Sequence, residues 1–249
     1  MKIAICGCSL SSPSYNKHPH YDRFLNTHFS ELLGTKYNVI NFAEPGVSNY
    51  HIRLQVEEAI KQKPDVVILT ATNTARVELN TNKTLDNNLC IRGIHEIEHS
   101  TMVSVHQSII KNHDLLAGHK TALKYYFDEI YNEEWEKKKQ IWIINDALTE
   151  LQHNKIPCIL QPGFLISKFG INYAYTIEET LKHFYNLYGF IIPYEHSLAK
   201  ISLENKHKWL NNDPGYHTTP KGQYQFYRYL IEKALLKINN TYRTGIIAQ

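Results

Sequence analysis

Short apolar runs and amphipathic stretches alternate along the first third of the chain, and this alternation predicts strands separated by helices. Each apolar run is continuous and ends at a turn, which is typical of strands buried on both faces of a parallel sheet. The predicted strands cover residues 2–8, 37–42 and 65–70. A helix is predicted over 21–33, stopped by Gly34. A second helix runs from a cap at Ser48 or Asn49 to about Gln62.

The second half of the chain predicts two further strands and three helices, which favours an α/β fold with a mostly parallel sheet. Two helices occupy the stretch from Leu116 to Gln152 and are connected near Asn132. The residues predicted to face inward from the second of them are Trp135, Ile141, Ile144 and Leu148. The predicted strands cover residues 156–160 and 190–193. The last helix starts at Pro220, a residue favoured in the first helical position, and runs to about Ile238.

One segment, at about residues 80–117, follows neither the helical nor the strand period. It is rich in Asn, Thr and His, and we interpret it as an insertion that contains some helix after Thr101. The chain has no internal repeat and no low-complexity linker. We therefore expect one domain over residues 1–249 that carries this insertion.

Composition narrows the classes of function. The 249 residues are 43% hydrophobic, which can furnish a sizeable core, and the formal net charge of +3 is dispersed along the chain. A nucleic-acid-binding protein more often gathers its basic residues on one face, so no nucleic-acid partner is expected. The four cysteines follow no zinc or disulfide spacing. No apolar run is long enough for a secretory signal or a membrane span, so we expect a cytoplasmic protein.

Three residues with useful chemistry, Ser9, Gly46 and Asn73, follow the first three predicted strands. The carboxyl ends of parallel strands meet at one edge of the sheet, where ligands bind in open α/β folds. A serine on a tight turn there presents its hydroxyl at that edge. A glycine lets the backbone direct an N–H at a ligand, and an asparagine amide can donate to a developing oxyanion. Taken alone, each residue is equally well explained as a helix cap or a turn residue.

A histidine near the C-terminus turns these residues into a possible catalytic set. His217 lies in a loop with Pro and Gly directly before the last predicted helix, where it can reach the same sheet edge. Imidazole has an ordinary pKa of about 6.5, so it suits removal of a proton from Ser9 at neutral pH. Asp213, in the same loop, is the candidate for the carboxylate that orients the ring.

Four sequence blocks together resemble the signature of the SGNH (GDSL-type) hydrolase family. The matching residues are Ser9, Gly46, Asn73 and His217. The first block reads Gly-Cys-Ser, as in an intracellular branch of that family. The resemblance spans residues 7–222 and implies a three-layer flavodoxin-like fold. It also implies a serine esterase or acyl hydrolase without metal or cofactor, with an oxyanion hole made by the Ser9 and Gly46 backbone N–H groups and the Asn73 amide.

Departures from the family pattern leave the catalytic acid open. Cys8 and Thr74 stand where the family often has aspartates, and Pro214 holds the position three before the histidine where the family usually has its Asp. Asp213 can still orient His217 across the Pro-Gly turn, or a backbone carbonyl can do so and leave a Ser–His dyad. The same departures motivate an alternative, a catalytically silent SGNH-like binding or structural subunit.

Two histidine patterns suggest other sites. The segment His95-Glu96-Ile97-Glu98-His99 places two imidazoles one helical turn apart with a glutamate between them. Such a pair can share a Zn²⁺ ion, which makes a zinc metallohydrolase a less favoured alternative. His99, His106 and His113 recur every seven residues, a spacing that would line one face of a helix.

The substrate is less well defined than the chemistry. Arg76 and Glu78, just past Asn73, can contact a charged substrate group or pair at the surface. The insertion follows Asn73, and we expect it to cover the site. The expected partner is an ester of a sugar, a lipid or a small molecule. Water or another alcohol can resolve the acyl-enzyme, and the oligomeric state is open.

Overall fold

A five-stranded parallel sheet carries the core of the protein. The computed structural model describes residues 1–12, 28–44, 47–72, 76–81, 94–97, 100–106, 117–161, 189–198, 200–201 and 220–243. The strands of this sheet are β1 (Lys2–Cys6), β2 (Asn38–Asn41), β3 (Val66–Thr70), β7 (Cys158–Gln161) and β8 (Gly189–Ile191). Their order across the sheet is β2-β1-β3-β7-β8, and every neighbouring pair is parallel. The mostly parallel sheet predicted from the sequence is confirmed.

The central strands are buried on both sides, as their continuous apolar sequences predict. Ile3, Ala4, Ile5 and Cys6 of β1 have no exposed surface, and Val66, Val67, Ile68 and Leu69 of β3 have none either. Because successive side chains of a strand point to opposite faces, helices must cover both faces of this sheet.

Six α-helices lie within the described ranges. They are α1 (Phe29–Gly34), α2 (Asn49–Lys61), α3 (Ala117–Tyr125), α4 (Glu133–His153), α5 (Pro220–Tyr229) and α6 (Leu236–Arg243). Wider π-helical turns extend α3 over Tyr126–Ile130 and join α5 to α6 over Leu230–Leu235, and a 3₁₀ turn covers Tyr194–His196. None of the described helices is both long and apolar enough to cross a membrane.

The helices form layers on the two faces of the sheet. Helix α2 packs on α4 and against β1 and β3, whereas α1 packs on α5 and against β2. Since β2 and β3 flank β1 on opposite sides, right-handed crossovers place α1 and α2 on opposite faces. The predicted three-layer α/β arrangement is therefore confirmed.

The predicted insertion contains strands instead of the helix expected after Thr101. Three antiparallel strands, β4 (Arg76–Thr81), β5 (Ile94–Ile97) and β6 (Ser100–His106), form a second sheet in the order β4-β6-β5. Up to His106 the helix prediction is wrong, because β-branched residues recur through β6, with Val103 and Val105 two positions apart. Such residues lose side-chain freedom in a helix and fit a pleated strand. Residues 107–116 lie outside the described residues.

Helix boundaries and faces differ from the prediction at three places. Helix α1 begins at Phe29, because His28 has extended backbone and forms the cap: its Nδ1 accepts from the Ser30 N–H at 3.2 Å. The part of the predicted helix before His28 lies outside the described residues. Trp135 of α4, predicted to face inward, is 54% exposed and packs edge-on against Trp142 on the outer face. The C-terminal helical run continues to residue 243, past the predicted end at Ile238.

Candidate active site

Two of the predicted site residues, Ser9 and Arg76, lie in the part of the chain that the structure describes. The other predicted site residues, Gly46, Asn73, Asp213 and His217, lie outside the described residues. The segments directly before Asn73 and after Gly46 are described, however. The geometry of the site is therefore built from the Ser9 turn and from these flanking segments.

Ser9 lies on a tight turn at the carboxyl end of β1, the strand flanked by β2 and β3. The Ser11 N–H donates to the Cys8 carbonyl at 2.9 Å and closes the turn. Ser9 itself is 8% exposed. This placement fits the sequence prediction that Ser9 stands at the sheet edge where ligands of open α/β folds bind.

Gly7 lets the turn sit close to the neighbouring strand. A Cβ atom at this position would lie 2.8 Å from Thr70 Cβ and 3.2 Å from Ser11 Cβ, so only glycine fits. The Gly7 N–H donates to Gln55 Oε1 at 2.7 Å, and its carbonyl accepts from the Glu44 N–H at 3.1 Å. Both backbone groups that precede the Ser9 turn are thus held by residues from other elements.

Polar side chains at the ends of three other strands of the parallel sheet hold the far side of the turn. The Ser11 and Thr70 hydroxyl oxygens are 2.5 Å apart, and Gln161 Nε2 donates to Thr70 Oγ1 at 2.8 Å. Asn41 Nδ2 donates to the Ser11 carbonyl at 2.9 Å. Strands β2, β3 and β7 therefore fix the turn that carries Ser9, and a buried polar network of this kind favours one arrangement.

The first turn of α2 holds the segment that leads to Asn73. Ser48 caps the helix by accepting from the His51 N–H at 3.3 Å, which settles the choice between Ser48 and Asn49. The Asn49 side chain instead binds the Thr72 backbone, accepting from its N–H at 2.7 Å and donating to its carbonyl at 3.1 Å. Asn49 Nδ2 also donates to Gln140 Oε1 of α4 at 2.8 Å.

These anchoring residues were not identified from the sequence. Asn49, Gln140 and Gln161 are all buried polar residues. A buried amide needs a hydrogen-bond partner, so such a residue signals a tertiary contact. The sequence alone does not show which residue is that partner.

Arg76 is the first residue of β4, and its side chain extends towards the Ser9 turn. Its Nη1 donates to the Val47 carbonyl at 2.6 Å, and Arg76 is partly buried. Burial lowers the pKa of the Arg76 guanidinium, and the nearby Cys8 thiol opposes this shift. An arginine remains charged throughout the physiological range despite such a shift.

The zinc alternative does not fit the structure. His95 and Glu96 lie in strand β5, so this part of the segment is not the helix that the zinc pattern requires. A single helical turn brings two imidazoles four residues apart to one metal ion, and an extended strand does not. His106 likewise lies in strand β6, which removes the helical spacing. His99 and His113 lie outside the described residues, within which no group of three potential metal ligands comes together.

Comparison with known proteins relates this fold to ester-cleaving enzymes. No protein-family model matches the sequence, and no curated protein matches it. The esterase EstA from Pseudoalteromonas sp., solved inhibited by monoethylphosphonate, superposes with a TM-score of 0.52 at 13% identity, over 96% of this chain and 98% of that chain. A Desulfitobacterium hafniense protein assigned to the G-D-S-L family of lipolytic proteins gives a TM-score of 0.50 at 12% identity, over 93% and 98%. At this identity the likeness shows a shared fold.

Proposed function

We propose that this chain, which has the SGNH-hydrolase fold, is a serine esterase that works through an acyl-enzyme on Ser9. The observation that carries the proposal is the placement of Ser9 on an anchored turn at the carboxyl end of β1, enclosed but still 8% exposed. Structurally similar proteins include an esterase and a member of the G-D-S-L family. The turn supplies what a nucleophilic serine needs, a hydroxyl on an anchored backbone with its own N–H beside it.

In the proposed reaction, Ser9 Oγ attacks the ester carbonyl carbon while His217 takes its proton. The negative charge that develops on the carbonyl oxygen is bound by the Ser9 and Gly46 N–H groups and the Asn73 amide. Collapse of this intermediate breaks the ester C–O bond, and His217 returns the proton to the departing alcohol. Water then attacks the acyl-enzyme with His217 as base, releasing the carboxylic acid and free Ser9.

Contacts in the described structure support this assignment of roles. Asn49 holds both backbone groups of Thr72, so the chain enters Asn73 from a fixed position. Val47, directly after Gly46, is buried and its carbonyl is bound by Arg76. Rigid support of this kind is what preorganised oxyanion donors require. Asp213, or a backbone carbonyl in its place, is proposed to orient His217.

The proposed substrate is an ester of a small molecule, a sugar or a lipid. EstA, a protein of the same fold, is an esterase that was solved in a phosphonate-inhibited form. We place the activity in the cytoplasm, because the buried thiols of Cys6 and Cys8 form no disulfide and suit a reducing compartment.

A fluorophosphonate probe tests the nucleophile directly. The serine oxygen displaces fluoride from phosphorus, so we expect stoichiometric labelling of the wild-type protein and none of Ser9→Ala. The tryptic peptide over residues 3–17 also contains Ser11, Ser12 and Ser14, so fragmentation must locate the adduct. Ser9→Ala should also reduce hydrolysis of 4-nitrophenyl acetate by at least about a thousandfold, in line with loss of a catalytic nucleophile.

Ser11→Ala is the matched control, two residues away on the same turn. Its hydroxyl contacts Thr70 at 2.5 Å and helps to hold the turn, so Ser11→Ala should still be labelled on Ser9, at a lower rate. Labelling on Ser11, or full labelling of Ser9→Ala, would contradict the proposal. A folded wild-type protein that is neither labelled nor active would instead support the silent binding subunit.

A further inference from the structure

The guanidinium of Arg76 contacts the segment that directly follows Gly46. It follows the Asn73 segment in sequence, and it donates to the carbonyl of Val47 at 2.6 Å, directly after Gly46. Its charge is also close enough to interact with the thiol of Cys8, the residue before Ser9. A partly buried cation therefore lies at the edge of the proposed site.

The charge of this cation is not balanced within the described part of the chain. There, no carboxylate lies within ion-pair distance of Arg76. Arg53 shows the opposite arrangement, with carboxylate oxygens of Asp146 and Glu150 at 2.5 Å and of Glu57 at 2.9 Å. Burial lowers the pKa of Arg53, but the hydrogen bond to Asp146 and the three negative charges raise it overall.

A carbonyl partner such as Val47 accepts a hydrogen bond but does not neutralise a positive charge. Removing a charged group from water is unfavourable unless an opposite charge meets it. The planar guanidinium has five N–H donors, and its geometry matches the two oxygens of a carboxylate. An anionic group of a substrate would supply the missing charge at this place.

We propose that Arg76 binds a carboxylate group carried by the ester substrate, so that the enzyme favours esters with a negative charge. This inference rests on the proposed function, because it names the substrate class of the same site. The carboxylate stands either on the acyl part or on the alcohol part of the ester. Arg76 is then a specificity residue, and the Val47 carbonyl holds its guanidinium in place.

Two matched pairs of esters test the proposal. The first pair compares 4-nitrophenyl hemisuccinate, which carries a charge on its acyl part, with 4-nitrophenyl butyrate. The second pair compares 3-acetoxybenzoate, which carries a charge on its alcohol part, with phenyl acetate. In at least one pair, we expect wild-type kcat/KM to be about tenfold or more higher for the charged ester, as a charge-assisted hydrogen bond allows. Arg76→Gln should lower this charged-to-neutral ratio about tenfold, and Arg76→Lys should lower it less.

Arg228→Gln is the control, since the Arg228 side chain is 59% exposed on helix α5 and pairs with Glu232 at 2.7 Å. It should leave the ratio unchanged. Thermal unfolding of each variant shows whether it is folded. The charged-to-neutral ratio of the wild-type enzyme tests the proposal even if a variant does not fold. A wild-type enzyme that cleaves these esters with no charge preference in either pair would overturn the inference and leave the proposed esterase function standing.

Binding measurements separate the inference from the proposed function. If the wild-type protein cleaves none of the four esters, the proposed function fails on these substrates. Calorimetric titration of Ser9→Ala with monomethyl succinate and with 3-acetoxybenzoate then decides the role of Arg76. Binding to Ser9→Ala that is lost in Ser9→Ala/Arg76→Gln supports the role of Arg76. Equal binding to these two proteins, or no binding to either, refutes that role.

Discussion

Cys6 shows how strongly the core acts on a single ionisable group. Its thiol is fully buried in β1, and burial together with the nearby Cys158 raises the pKa of the thiol well above its ordinary value. The folded protein therefore keeps this proton at a pH at which the unfolded chain, with a thiol pKa of about 8.5, has released it. The contribution of the protonated Cys6 thiol to the free energy of unfolding is fully present below about pH 8.5 and is lost as the pH rises above that value.

The first prediction follows from this linkage. Above about pH 9, the free energy of unfolding of the wild-type protein should fall with pH more steeply than that of Cys6→Ala, by about 1.4 kcal/mol per pH unit. Urea unfolding at several pH values between 8 and 10.5 measures both slopes. The comparison uses the slopes of the free energy of unfolding against pH. The smaller side chain of Cys6→Ala lowers this free energy equally at every pH, so it does not change the slope. Parallel curves for the two proteins would contradict the buried, protonated state of Cys6.

At the scale of elements, the close approach of the Ser9 turn to β3 depends on Gly7. In Gly7→Ala the new methyl group would stand 2.8 Å from Thr70 Cβ, and both atoms are fixed by backbone. This steric clash can be relieved only if the end of β3 or the Ser9 turn moves. We expect a loss of about 1–3 kcal/mol in the free energy of unfolding, as for overpacked cores, together with weaker fluorophosphonate labelling of Ser9.

Gly34→Ala provides the matched control for this substitution. Gly34 ends helix α1, and a Cβ atom there would meet nothing within 4 Å. Alanine is the better helix residue and restricts the unfolded chain, so this variant should gain up to about 1 kcal/mol. Urea unfolding measures both variants. Equal effects of the two substitutions would show that the β1–β3 approach does not need glycine.

At the scale of the whole molecule, the insertion is built as a sheet of its own, apart from the parallel core sheet. Strands β4, β6 and β5 pair with one another, and Arg76 lies opposite His106 at the open end of the β4–β6 pair. Because the two residues are cross-strand neighbours, residues 77–105 can be replaced by an Asn-Gly turn without separating the flanking segments.

This replacement tests whether the insertion sets substrate choice. The shortened protein should keep a cooperative unfolding transition and fluorophosphonate labelling of Ser9, because the parallel sheet and the turn remain. Its relative kcat/KM for 4-nitrophenyl esters of two to eight acyl carbons should change, because the insertion follows the Asn73 segment directly. A labelled, folded variant with an unchanged chain-length profile would rule out a covering role for the insertion.

The sequence by itself determined the parallel core. Strands β1 and β3 are continuous apolar runs, and a run of that length can be satisfied only by burial on both faces, so their prediction holds to within two residues. Local chemistry also limited the cap of α2 to Ser48 or Asn49 and placed the connection before α4 near Asn132, and in the structure Ser48 and Asn132 are the two caps. The roles of Gly46, Asn73, Asp213 and His217 stay predictions, since these residues lie outside the described ranges.

Only the tertiary structure decided how the Ser9 turn is held. Ser11 is 59 residues from Thr70, and Asn49 and Gln140 are 91 residues apart. No periodicity or cap signal encodes such pairs, because each amide or hydroxyl can satisfy its hydrogen bonds with many partners until the backbone brings one of them near. The same holds for Arg76. Its position beside Val47 and Cys8 is a tertiary contact, which the composition of the insertion does not reveal.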